Sequence, residues 1–439
     1  MSGYESYPEY KESGVEWIGE VPAHWEVMRL RHHARFQNSN VDKKSRDGEV
    51  PVRLCNYTDV YHNEFLDSTS DYMRATASQD ELSRFRLQVN DVVITKDSED
   101  PNDIAIPALI TKTEDDFVCG YHLTIIRSGE DASQRFLHRL FDSQAARAYF
   151  FQECPGVTRF GLSQNAIGNF KYAVPPVAEM IQIATFVDRE TTRIDTLIEK
   201  KQRFIELLQE KRQAVITQAV TKGLDPNVPL KDSGVKAIGK VPRHWEILPL
   251  RTVMRKKKSL VGSSWPDYKL LSLTKRGVIE RDVSENFGKF PESFETYQFV
   301  APNDLVMCLF DIDETPRTVG LSDEVGMITG AYSLFVIERA VMRHYLYYLF
   351  LHLDQVKGLR PYYSGLRKTI RPANLLRIRI PIPPEEEAAR IVNHIKASQY
   401  RFDTLIVKTR ESLDLLKERR SALITAAVTG KIDVRSETT

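Results

Sequence analysis

No apolar run in this chain approaches the ~20 residues that a membrane span requires. The opening MSGYESYPEYKESG is polar and acidic, so it does not read as a secretory signal. Cysteine is scarce: Cys55, Cys119, Cys154 and Cys308 make up the complement of 4, and no two stand at metal-ligand spacing. They read as reduced thiols of a cytosolic protein and not as a disulfide frame. An excess of either charge is missing too, since 61 Lys and Arg face 60 Asp and Glu for a net charge of +1. Total charge therefore selects no partner. No glycine-rich phosphate loop with a following Lys-Ser/Thr exists, and Gly288-Lys289 lacks both the preceding glycine and the following hydroxyl. The 10 histidines have no Ser/Asp or Cys constellation around them. What is left, 42% hydrophobic and 28% charged over 439 residues, suits a globular protein of two or three domains.

Against these absences stands a duplication. The stretch PPVAEMIQIATFVDRETTRIDTLIEKKQRFIELLQEKRQAVITQAVTKGLD, 175 to 225, recurs without a gap as PPEEEAARIVNHIKASQYRFDTLIVKTRESLDLLKERRSALITAAVTGKID, at an offset of 383 − 175 = 208. Arg193, Asp195, Thr196, Leu197, Ile198 and Lys200 return as Arg401, Asp403, Thr404, Leu405, Ile406 and Lys408. Apolar residues at Ile183, Phe186/Val187, Ile194, Leu197/Ile198, Ile205, Leu208, Val215/Ile216 and Ala219 follow the three-and-four spacing of one helix face. Ile391, Ile395, Phe402, Leu405/Ile406, Leu413, Leu416, Leu423/Ile424 and Ala427 repeat it. Pro176 and Pro384 suit a helix start, acids at Glu179 and Glu385 to Glu387 suit its positive end, and Gly223 and Gly430 suit its cap. Two matching amphipathic helices of about 35–40 residues, roughly 55 Å at ~1.5 Å per residue, are expected to pack on each other. Polar residues at Lys201, Gln399 and Thr409 interrupt the stripe, so a strict coiled coil is not demanded.

A second signature repeats as well. ESGVEWIGEVPAHWEVMRLR, 12 to 31, returns as DSGVKAIGKVPRHWEILPLR, 232 to 251, at an offset of 220. Its Trp25 and Trp245 are expected to bury their rings as a structural plug, with no ligand role for the histidines beside them. Between signature and helix lie two segments of similar layout, 32–174 and 252–382, with short β-like runs. Strands are expected in VPVRLCNYTDV, Asn90 to Ile94 and Tyr121 to Ile126, then in YKLLSL, Asn303 to Met307 and Tyr332 to Val336. Helices are expected from Phe136 to Phe151 and from Arg343 to Val356. Without regular strand–helix alternation, the fold class is α+β. The order signature, domain, helix, signature, domain, helix divides the chain into a lead-in (1–11), a first domain (12–174) and a first helix (175–223). A second domain (224–382), a second helix (383–431) and a tail (432–439) follow. The final TGKIDV resembles the connector after the first helix, so the chain can close as a ring with approximate two-fold symmetry and antiparallel helices.

The double-proline entry, the helix ending in Ala-Val-Thr with its glycine, and the Ile-Gly/Val-Pro/His-Trp signature resemble the specificity subunit of type I restriction–modification systems, over nearly the whole chain. The resemblance implies two target-recognition domains, each reading half of a split double-stranded DNA site. It implies helices that space the halves and dock two methyltransferase subunits, with motor-nuclease subunits joining the complex. S-adenosylmethionine and ATP/Mg would then sit on those partners, with none bound by this chain. The residues agree with a non-catalytic chain in the cytoplasm. An amino-methyltransferase needs an Asn/Asp-Pro-Pro-aromatic loop, whereas the two Pro-Pro pairs here run into Val177 and Glu385. Asp267 and the Glu199/Lys201 pair could be imagined as nuclease groups, yet the latter lies on the repeated helix face.

DNA affinity needs cations near phosphates, and choice of sequence needs side chains at base edges. Cations cluster at Arg29 to Arg35 and Lys43 to Arg46, and again at Arg255 to Lys258 and Lys275 to Arg281. From Leu359 to Ile380 there are six, interleaved with Tyr362 and Tyr363 and without an acid. Arg159 and Arg367 coincide under the 208 offset, which favours a grip on backbone. The DNA-binding candidates are Lys43, Lys44, Arg46, Asn56, Lys96, Arg159, Gln164 and Asn165 in the first domain. In the second they are Lys257, Lys258, Lys275, Arg276, Arg317, Arg360, Tyr363, Arg367, Lys368 and Arg371. Arg or Lys would pair with guanine, Asn or Gln with adenine. Asp311, Asp313 and Glu314 are not expected to face phosphate. Partner docking on the helices falls to Arg193, Leu197, Leu208, Arg401, Leu405 and Leu416. Two rivals are a self-sufficient modification–restriction enzyme with the same recognition half, and a helical adaptor that binds no DNA.

Overall fold

The computed structural model describes residues 4–281 and 293–437. The Gly288-Lys289 pair lies outside them, as do the first three residues of the lead-in and the last two of the tail. The chain divides into two compact units, Met1–Lys201 with Arg410–Thr439, and Gln202–Thr409. Both duplicated stretches are single helices, Val177–Lys222 and Glu385–Val428, and each contributes one half to either unit.

At 46 and 44 residues the helices run longer than their stripe suggests. Their polar interruptions do not break them, because hydroxyls bond back into the helix: Thr409 donates to the Leu405 carbonyl (2.7 Å) and Thr191 to that of Val187 (2.8 Å). Within the first unit Arg420 meets Asp195 at 3.0 Å, and within the second Arg212 meets Asp403 at 3.1 Å. These are the same two positions of the repeat, since 195 + 208 = 403 and 212 + 208 = 420. Residue numbers in each pair add to 615, the sign of antiparallel packing.

In the first unit Trp25, fully buried, seats the end of the second helix: Gly430, at φ +71°, has no room for a Cβ, which would lie 2.4 Å from Pro22. In the second unit Trp245 seats the end of the first helix, with Gly223 at φ +73°. Each unit therefore assembles the same parts in a different chain order. The termini close the first unit: the Asp433 amide donates to the Glu5 carbonyl (2.8 Å), and the Tyr10 hydroxyl to that of Gly430 (3.1 Å). The α+β, circularly duplicated arrangement is the observed one.

The domains share an antiparallel sheet. In the first unit it orders strands Ala34–Asn38, Leu123–Ser128, Val92–Thr95 and Pro107–Lys112, with Phe65–Asp67 added in parallel at the edge. In the second it orders Arg255–Lys256, Ser333–Val336, Leu305–Met307 and Val319–Leu321. A separate three-stranded sheet, with Val50–Cys55 in the middle, has its own core of Val52, Leu54, Phe85 and Phe117.

Two sequence expectations are corrected. The second half of VPVRLCNYTDV is helix Tyr57–His62, because the Asn56 amide is held by the Asp59 carboxylate (2.7 Å) in an N-terminal capping arrangement. The helix expected from Phe136 to Phe151 is two, Asp131–Phe141 and Gln144–Glu153, since the Ser143 hydroxyl accepts from Ala146 N (3.2 Å) and starts a new helix.

Candidate nucleic-acid interface

In each unit the central strand of the shared sheet runs out into an acidic loop, and the loop bearing the shared arginine packs against it. The strands begin alike. Asn90 and Asn303 turn at φ 68° and 72°, and the next residue, Asp91 or Asp304, accepts a backbone amide from Gln88 (2.7 Å) or Ala301 (2.8 Å). Each of these buried carboxylates carries a cation, Arg127 at 2.6 Å and Lys257 at 2.5 Å.

In the first unit, Asp97 follows the strand and holds Lys96 (2.6 Å) and His122. A two-residue ladder, Phe160 to Ser98 and Gly161 to Asp97, fixes the loop that ends in exposed Arg159. The Tyr57 hydroxyl donates to Ser98 Oγ (3.2 Å), and its ring stacks on Tyr61 at 5.7 Å and 13°. A cleft of about 470 Å³ lies here, lined by Tyr57, Asp97, Asp100, Asp103, His122 and Arg159.

In the second unit a tight hairpin, closed by reciprocal Ser364–Thr369 amide bonds (3.1 Å), presents Arg367 and Lys368. The Arg367 carbonyl accepts from Asp311 N (2.9 Å), while its guanidinium meets Asp311 Oδ2 (3.2 Å) and lies 5.5 Å over the Phe310 ring. Asp313 accepts the Tyr363 hydroxyl (2.7 Å), Arg360 (3.0 Å) and Lys368 (3.2 Å), which together hold its carboxyl down at about 2. Lys368 also reaches Glu314 at 2.7 Å. The Leu359 to Ile380 stretch, acid-free in sequence, thus has its counter-charge in space from Asp311, Asp313 and Glu314. A linear count could not see a loop 47 to 56 residues upstream (360 − 313 = 47, 367 − 311 = 56) fold against it.

The remaining candidates divide by exposure. Lys43, Lys44, Arg159, Lys258, Lys275, Arg276 and Arg371 are exposed and make no ion pair among the described residues. Arg46 pairs with Asp42 (3.2 Å) and Glu49 (3.6 Å). Gln164 is exposed, and Asn165 accepts from Arg31 (3.1 Å). Asn56 is occupied as a helix cap, Lys96 by Asp97, and Lys257 by buried Asp304. Arg317 donates to the Val319 and Lys275 carbonyls (2.9 and 2.8 Å) and to the Tyr347 hydroxyl (2.5 Å), which locks it in place. On the helices, Arg193, Leu197, Arg401 and Leu405 are exposed, Leu208 is buried, and Leu416 is half-buried against the first unit's core. Sequence reasoning passed over two loop tips, Val157 and Leu366, which are 94% and 103% exposed. Their only signal is an apolar residue one or two places before the shared arginine. Among the described residues no cluster of three or more His, Cys, Asp or Glu could hold a metal, and no helix is long and apolar enough to cross a membrane.

Two permuted units that share a pair of long helices make up the fold, and an HsdS subunit of a type I restriction–modification system matches it over nearly the whole chain. A Methanocaldococcus jannaschii protein described as the specificity subunit of the type I restriction enzyme MjaX is 21% identical over 443 residues, covering 97% of this chain and 98% of that protein. The HsdS subunit from Thermoanaerobacter tengcongensis covers 96% of this chain and 100% of its own at 16% identity, with a TM-score of 0.55. A chain from a solved type I R-M system, studied for complex assembly and conformational transition, reaches a TM-score of 0.65 at 16% identity, covering 93% of this chain and 98% of its own. No family model matches the chain. The resemblance carried by the repeated signature and helix therefore holds in sequence and in fold.

Proposed function

We propose that the chain is the DNA-specificity subunit of a type I restriction–modification complex and catalyses nothing alone. Each domain reads one half of a bipartite double-stranded site, the helices set the gap between halves, and their exposed faces dock two methyltransferase subunits. Adenine methylation, and restriction where motor-nuclease subunits join, takes place on partners that carry S-adenosylmethionine and ATP/Mg. The cytoplasm, where DNA and these partners meet, is its compartment. The observation that carries the reading is the permuted duplication, which sets an arginine loop against the outlet of the central strand in each unit. Two such surfaces, alike in their Asn-Asp strand start and in that arginine but otherwise different, suit two different half-sites. Exposed cations on the domains supply the phosphate contacts, and exposed apolar residues such as Leu207 (46%) and its equivalent Leu415 (65%) supply docking area on the helices.

The test is selection of bound duplexes from a random library by this chain purified with its methyltransferase partner. Two short motifs at a fixed gap are expected. A single contiguous motif refutes reading by both domains, and no enrichment at low salt favours the adaptor. Methyl transfer by the chain alone would instead favour the self-sufficient enzyme.

A further inference from the structure

We propose that Val157 and Leu366 are a pair of DNA wedges, one per domain, each pressing an apolar side chain into a base step of its half-site while the nearby arginine grips the adjoining phosphate. The proposal rests on the DNA-reading function above and adds the residues and the mode of contact. Among the described residues these two are the most exposed large hydrophobic side chains, at 94% and 103%, against 76% for the next, Tyr400. They stand one place out of register under the 208 offset, two residues before Arg159 and one before Arg367, each in the loop that bears the shared arginine.

Neither tip belongs to a loose loop. A Cβ on Gly156 would lie 2.1 Å from the Arg159 carbonyl, so the turn under Val157 is closed as tightly as glycine permits. The chain then enters the Phe160–Ser98 ladder, and Leu162 N donates to the Lys96 carbonyl (2.8 Å). Leu366 sits on the Ser364–Thr369 hairpin, with Gly365 at φ +76° and Lys368 at φ 43°, and the Ile370 amide anchors to the Leu309 carbonyl (2.8 Å). A loop tip that holds one apolar side chain in water forgoes the burial that such a residue normally finds. Its complement is therefore a partner.

The surroundings say which kind. A protein-docking patch is a contiguous apolar area, whereas each tip is a single side chain one or two residues from an arginine. Leu366 is followed by Arg367 and Lys368, with Arg360 and Arg371 on the same stretch. An apolar side chain between base steps, with Arg or Lys on the flanking backbone, is how proteins pry a duplex open locally and bend it.

The experiment uses the complex of this chain with its methyltransferase subunits on the selected duplex, with 2-aminopurine placed at one position at a time across both half-sites. Wild type is expected to brighten one step per half-site besides the flipped target adenines, which serve as internal controls. Val157→Ser should abolish only the first domain's step and Leu366→Ser only the second's, each weakening binding on the order of tenfold. Leu366→Met should restore the signal. Bipartite binding with no brightened step beyond the targets overturns the wedge and leaves the DNA-reading function standing. Variants that lose methyltransferase subunits but keep the brightened steps make the tips a protein contact and overturn it as well. Absence of sequence-specific binding removes the function and the wedge together.

Discussion

The repeated ion pair offers a test in which the two halves of one molecule control for each other. In the second unit Arg212 pairs, among the described residues, with Asp403 alone, and both side chains are well exposed (38% and 52%). In the first unit its equivalent, Arg420, is 19% exposed and meets Asp195 (3.0 Å), Asp142 (3.2 Å) and Glu64. Glu64 also pairs with Arg139, 2% exposed, which in turn holds Asp188 on the first long helix (2.5 Å). Burial pushes the Glu64 carboxyl up, but Arg139 and Arg420 outweigh it and hold it below its ordinary value. An exposed pair contributes roughly 0–1 kcal/mol, so Arg212→Ala should cost no more than that. Breaking a buried network costs about 3–5 kcal/mol. Asp142 keeps Arg147 (2.9 Å) and Glu64 keeps Arg139, so Arg420→Ala should cost somewhat less, about 2–4 kcal/mol. At roughly 2–4 °C per kcal/mol, thermal unfolding should separate the variants by several degrees. Equal melting shifts would refute the claim that burial and the extra carboxylates, and not the helix seam itself, give this pair its weight.

Other perturbations have expected outcomes too. Burial, with Arg139 and Arg420 nearby, pushes the His138 imidazole down to about 3 from 6.5. The unfolded chain then holds one more proton between pH 6.5 and 3, and stability falls on acidification through that window by up to about 1.4 kcal/mol per pH unit. His138→Phe should flatten that limb in urea unfolding, and an unchanged slope counts against it. Arg367→Gln should lower the salt slope of DNA binding by roughly one, while Asp313→Asn should tighten non-specific binding by releasing Arg360 and Lys368; filter binding at several salt concentrations checks both. Removal of seven equivalent residues from both helices, about 10 Å, should shorten the preferred gap by roughly three base pairs in a methylation assay on duplexes of varied spacing. An unchanged gap refutes the ruler. The Trp25 indole donates to Glu179 (3.1 Å), whereas the buried Trp245 indole nitrogen has no partner among the described residues. Trp25→Phe should therefore cost about 1–3 kcal/mol more than Trp245→Phe, and equal costs would sink that account.

The repeat made most of the architecture legible. An ungapped offset locates both helices, and an apolar stripe marks most of the buried face, as Ile194, Ile216, Ile406 and Leu413 show by their burial, although its Leu197 and Leu405 are exposed. The signature tryptophans fill as expected, because a side chain of that size beside Val-Pro has few places to go. Elements set by a few local bonds were harder. The Asn56–Asp59 cap turns a β-like run into helix, and the Ser143 cap breaks one helix into two. Both lie below the resolution of periodicity. At the candidate interface, composition identified the cations but not their partners. Lys257 reads as a free base-reader until Asp304, 47 residues on, is seen to hold it. Val157 and Leu366 carry no periodic signal at all, and only the folded loop shows that nothing covers them.

The pairing of Arg360, Arg367 and Lys368 with Asp311, Asp313 and Glu314 bears on how, under the proposed function, a chain of net charge +1 would select DNA. Exposed pairs of this kind are worth little, so a phosphate can displace a carboxylate from its cation at small cost. The carboxylate so released is then next to the duplex, where it repels phosphate and can stay only by accepting a hydrogen bond, as from a cytosine amino group in the major groove. Under the proposed function the acids therefore act as a filter. Non-specific DNA must strip the cations and leave the carboxylates unpaired, whereas a site offering a donor at the right place satisfies both. Removing the acids should thus raise affinity and lower discrimination together, a combination that loss of a cation cannot produce.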